Sequence, residues 1–67
     1  MDTNEAQTRV MALTGQQVTC FLREDNGWEH SLTGQCLGGG SEGFNLYTSW
    51  PTSVRYRNLI SINPVVN

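Results

Sequence analysis

A chain of 67 residues and 7.5 kDa, 37% hydrophobic and 15% charged, has material for one small core and none for a second. Seven glycines and little apolar residue to spare leave a narrow margin over the conformational entropy of folding, so support from outside the single core is expected. The net charge of −2 divides into −4 over residues 1–42 and +2 from Arg55 and Arg57 beyond them; with no lysine anywhere, a broad cationic footprint for nucleic acid is excluded and any such contact must be local.

From Asp2 the chain reads as a short helix. Asp2 and Glu5 have capping-box spacing, and Ala6, Val10 and Leu13 recur at helical intervals until Gly15 ends the pattern. The period then changes to two over Gln17–Leu22, where Val18, Cys20 and Leu22 alternate with Thr19 and Phe21 as in a half-buried strand. Arg23-Glu24-Asp25-Asn26-Gly27 is a turn, because Asn-Gly tolerates positive φ and joins antiparallel strands. The returning strand is expected over Trp28–Leu37 with a bend or bulge at Gly34.

Gly38 to Gly43 reads as a loop. Further strands are expected over Phe44–Ser49, Ser53–Tyr56 and Leu59–Ile62, with a proline-containing turn at Trp50-Pro51-Thr52. A helix followed by five short strands is too small for a two-sheet sandwich. It suits a strongly bent, five-stranded antiparallel barrel of the SH3-like or Sm-like kind, mainly β with a short N-terminal helix, in one domain over 1–67.

No apolar run approaches the roughly 18–20 residues that span a bilayer, and Met1–Glu5 is polar and acidic, unlike a signal peptide; a soluble, cytoplasmic protein is expected. Cys20 and Cys36 have no Cys-x-x-Cys spacing and His30 is the sole histidine, so free buried thiols are expected and no metal. Catalysis is not expected either, nor a cofactor. The glycine loop lacks the lysine and following helix of a phosphate loop, and neither cysteine has a placed base. Glu29 and His30 are strand neighbours pointing to opposite faces, which makes His30 a surface residue. Glu42-Gly43-Phe44 and Ser53-Val54 faintly resemble the type II dihydrofolate reductases, but the Val-Gln-Ile-Tyr stretch and the pore lysine of those enzymes are missing.

Four segments, in this order, resemble the Sm-like family, which includes the Hfq-type bacterial RNA chaperones. Gln17–Leu22 with Asn26-Gly27 resembles the family's first strand and turn, and Thr33-Gly34-Gln35-Cys36 its second-strand bend. Phe44-Asn45-Leu46 resembles the Met-Asn-Leu of the first Sm motif, and Tyr56-Arg57-Asn58-Leu59-Ile60-Ser61 resembles the second motif. Ser41 stands where the family has an acid, Gly43 where it has a base-stacking aromatic or histidine, and Asn58 where the Hfq type has histidine.

The resemblance covers most of residues 5–64 and implies a cyclic homo-oligomer in which Ser53–Tyr56 of one copy pairs with Leu59–Ile62 of the next. It places Val54, Tyr56, Leu59, Ile60 and Ile62 at the subunit interface, and Phe44, Asn45, Arg57 and Asn58 against single-stranded RNA at the inner rim. Closure of the same two strands within one chain is the competing reading. The alternative function is an SH3-like protein-interaction module, or a small inhibitor or adaptor, that takes a protein partner on Trp28, Tyr47, Trp50 and Tyr56.

Overall fold

The structure, a computed structural model, describes residues 1–66. Helix α1 spans Thr3–Leu13, followed by β1 (Gln17–Arg23), β2 (Glu29–Gly39), β3 (Gly43–Tyr47), β4 (Pro51–Arg55), the 3-10 turn Tyr56–Asn58, and β5 (Leu59–Pro64). The mainly β fold with a leading helix is thus the one expected. Asp2 caps α1 by accepting the Glu5 N–H at 2.8 Å, and Ala6 and Val10 bury the apolar stripe. Among the described residues, no helix is long and apolar enough to cross a membrane.

The five strands form one antiparallel sheet in the order β4-β3-β2-β1-β5. In β1, Val18, Cys20 and Leu22 face the core while Phe21 faces solvent, as strand alternation requires. Val54 on one outer strand and Leu59 and Ile62 on the other belong to the same buried cluster, so the sheet curls around its core. It does not close: β4 and β5 end the sheet on opposite sides, and no pairing joins them among the described residues. The expected barrel is therefore a curled sheet with two open edges.

Three local expectations are revised. Of the bend or bulge expected at Gly34, the bulge is not there: the register with β1 is unbroken from Arg23↔Glu29 to Gln17↔Gln35, and the irregularity in β2 falls between Cys36 and Gly38. Gly34 also permits the close approach of the neighbouring β3 backbone, because a Cβ there would collide with the Tyr47 carbonyl oxygen. The glycine loop is shorter than its composition suggests, since Gly38 and Gly39 pair with β3 and Gly43 with β4, leaving 40–42 as the connection. Tyr56 leaves the fourth strand for the 3-10 turn, and Pro51 joins it.

Cys20 and Cys36 are free and buried. Burial, with a smaller effect from Cys36, pushes the Cys20 thiol from its ordinary 9.0 up to about 12. Tyr56 moves in the same direction for the same reasons. A folded state that holds its proton more tightly than the unfolded chain loses stability as pH rises, so the Cys20 contribution to stability should be level below pH 9.0 and fall between 9.0 and about 12. Urea unfolding followed by circular dichroism across that range checks this; an unchanged midpoint would contradict it.

Candidate nucleic-acid interface

The connection between β4 and β5 is held rigidly. The Tyr56 ring is buried and stacks on Phe44 with centroids 6.0 Å apart. Its hydroxyl donates to the Gly40 carbonyl at 2.7 Å and its N–H to the Glu42 carbonyl at 3.0 Å. With Tyr56 anchored, Arg57 is directed outward and Asn58 sits half-buried beside it.

Both residues meet the β1–β2 turn. Arg57 donates to Asp25 Oδ2 at 3.0 Å, and Asn58 Nδ2 donates to Glu24 Oε2 at 3.3 Å. The other Glu24 oxygen lies 3.1 Å from His30 Nε2, and the His30 ring stacks on Trp28 at 4.1 Å between centroids. Gly27, with φ of 91°, makes the turn possible, and Asn26 Oδ1 accepts the Trp28 N–H at 2.9 Å. His30, expected as a surface residue, is therefore half-buried within a polar cluster that links the turn to the β4–β5 connection.

The four expected RNA-contacting residues do not form one group. Arg57 and Asn58 are adjacent and share the acidic turn. Asn45 stands on the outer face of β3, where its Oδ1 accepts the Ser53 hydroxyl at 3.1 Å. Phe44 is 3% exposed and packed in the core, so its ring is not presented to a base. That position alternates with Asn45 along the strand, and only one of the two can face outward.

The residue shared by these separate places is Arg55, to which no sequence motif gives a role. It lines a cleft of about 360 Å³ with Arg57, a second of about 330 Å³ with Asn45, and a third of about 430 Å³ with Asn58. The signal available in the sequence is its place in a strand: two residues after outward-facing Ser53, alternation turns Arg55 outward too.

The expected interface residues are sorted in the same way. Val54, Tyr56, Leu59 and Ile62 spend their side chains on the chain's own core. Ile60 alone among them is exposed, lining a surface depression of about 480 Å³ with Phe21. What β4 and β5 offer a neighbouring chain is backbone. Tyr56 N–H bonds to Glu42, so the alternation of an antiparallel ladder turns the N–H groups of Ser53 and Arg55 away from β3. On the other edge, Val65 N–H bonds to the Gln17 carbonyl at 2.8 Å, which turns the backbone groups of Ile62 outward. The Arg9 guanidinium reaches the Ile62 carbonyl at 3.4 Å.

Of the four aromatics in the alternative reading, Trp28, Tyr47 and Trp50 are exposed and Tyr56 is not. Tyr56 is buried, while Trp28 and Trp50, 60% and 69% exposed, stand on the β1–β2 and β3–β4 turns. No three His, Cys, Asp or Glu side chains among the described residues converge as a metal site would require. Comparison with family models, with curated proteins and with solved structures finds no match to this chain.

Proposed function

We propose that this protein is a divergent Sm-like subunit that closes into a cyclic homo-oligomer through its sheet edges and binds single-stranded RNA at the inner rim. The observation that carries this reading is the strand order: the two strands that ring assembly requires, β4 and β5, are the two free edges of the sheet. Exposed edges invite pairing with another chain, and a heterologous contact between unlike edges closes into a ring when the rotation allows it. Such pairing would supply the additional burial that a chain of 67 residues lacks. The Arg9 contact at 3.4 Å is long for a hydrogen bond and easily exchanged for a neighbour's backbone.

For RNA, each subunit brings Arg57 and Asn58 on the β4–β5 connection and Asn45 on β3. A guanidinium pairs with phosphate and stacks on a base, and an amide hydrogen-bonds a base edge. Two or three contacts per subunit are weak alone. Repetition around a ring makes them strong through effective concentration.

Light scattering coupled to size exclusion tests the assembly, with a mass near six or seven subunits expected on the ring reading. Fluorescence anisotropy with uridine-rich and adenine-rich RNA tests the ligand, and Arg57→Ala should weaken binding at least a few-fold. A folded chain of one or two subunits with no RNA affinity would overturn the reading. It would shift the function to a protein partner engaged by the exposed Trp28 and Trp50.

A further inference from the structure

The four arginines of the chain are not equivalent. Arg23 is paired with Glu29 at 2.6 Å, Arg57 with Asp25 at 3.0 Å, and Arg9 donates to the Ile62 carbonyl. Arg55 is exposed and, among the described residues, makes no ion pair or side-chain hydrogen bond. It faces a cleft lined also by Arg57, the hydroxyl residues Thr3 and Ser41, and one carboxylate, Glu42.

We infer that this cleft is a phosphate subsite in which Arg55 is the primary contact, while Asp25 acts as an intramolecular competitor for Arg57. The inference rests on the RNA reading and refines it by naming the phosphodiester as the group bound and by ranking the two cations. A carboxylate already bonded to a guanidinium presents the same pair of oxygens that a phosphate would, so an incoming phosphate must displace Asp25 before Arg57 becomes available. Among the described residues, nothing has to be displaced from Arg55. The Arg57–Asp25 pair is solvent-exposed on both sides, with side chains 59% and 70% accessible, and exposed pairs are weak. Asp25 therefore tunes the site instead of blocking it.

The test uses anisotropy titrations of labelled oligouridylate over a range of salt, together with NMR titration of inorganic pyrophosphate. Arg55→Ala should weaken RNA binding at least as much as Arg57→Ala, and lower the slope of log affinity against log salt by about 0.7 for each phosphate no longer neutralised. Asp25→Asn should tighten binding about two- to five-fold. That gain should vanish when Arg57→Ala is added, because the released cation is then absent. All three positions are exposed, so the fold is unaffected, and circular dichroism checks that it is. RNA binding by Arg55→Ala equal to that of the unmodified chain, or a gain from Asp25→Asn that persists without Arg57, overturns the inference while leaving the RNA reading intact. Pyrophosphate shifts at Arg55 and Arg57 without any RNA affinity would overturn the RNA reading and keep the anion site. Neither ligand binding would overturn both.

Discussion

Ser53→Pro should leave a folded single subunit and abolish the assembly proposed for the unmodified chain. The N–H of Ser53 points away from β3, because the Tyr56 bond to the Glu42 carbonyl fixes which residues of the ladder face inward. Proline at that position removes no backbone bond within the chain. It deletes a donor from the open edge and adds a ring where a neighbouring strand would approach, which is how natural edge strands are protected. Ser53 is also exposed, so the core is untouched; the one internal loss is its side-chain hydrogen bond to Asn45 at 3.1 Å. Light scattering should give the mass of one chain, with circular dichroism and thermal midpoint close to those of the parent. An undiminished assembly mass would mean that the copies meet through some other surface, and the exposed Phe21 and Ile60 would then be the first place to look.

Gly34→Ala should destabilise the chain far more than a methyl group ordinarily does. A Cβ at this position would collide with the Tyr47 carbonyl oxygen and lie 2.8 Å from its carbon and 3.1 Å from the Thr48 Cα. All three are backbone atoms at or just past the end of β3, so relief requires that β2 and β3 separate, not that a side chain rotate. Overpacking of this kind costs about 1–3 kcal/mol and sometimes more. In so small a domain each kcal/mol lowers the thermal midpoint by about 4–8 °C. Gly40→Ala is the matched control: nothing lies within 4 Å of its Cβ, and the thermal midpoint should move little. Equal midpoints for the two variants would show that the approach at Gly34 is not a tight one in solution.

The same position shows how far local reading of the chain extends. A glycine within an apolar, β-rich stretch marks either a bend or a close approach of another backbone, and the residues beside Gly34 do not distinguish them. The deciding atoms belong to Tyr47 and Thr48, which the pairing of β3 with β2, Tyr47 opposite Gln35, sets beside Gly34. Phe44 and Tyr56 behave similarly. Their motifs assign them to the site and the interface, and each is withdrawn into the core, where it is one of twelve buried hydrophobic side chains among the described residues. Arg55 escapes notice for the opposite reason: nothing adjacent marks it, and what sets it apart is that the carboxylates of the described residues engage Arg23 and Arg57 and do not engage it.

Legible from the residues alone are the capped helix, the alternation of β1, the Asn26-Gly27 turn, the number of strands, and the division of charge between the first 42 residues and the last 25. Each follows from periodicity, capping or turn chemistry acting over a few neighbours. Folding in three dimensions is what leaves β4 and β5 as open edges, brings Asp25 and Glu24 to Arg57 and Asn58 from 32 and 34 residues away, and leaves Arg55 without an ion-pair partner among the described residues. Those outcomes depend on how a curled sheet juxtaposes distant strands, and no local pattern encodes that distance.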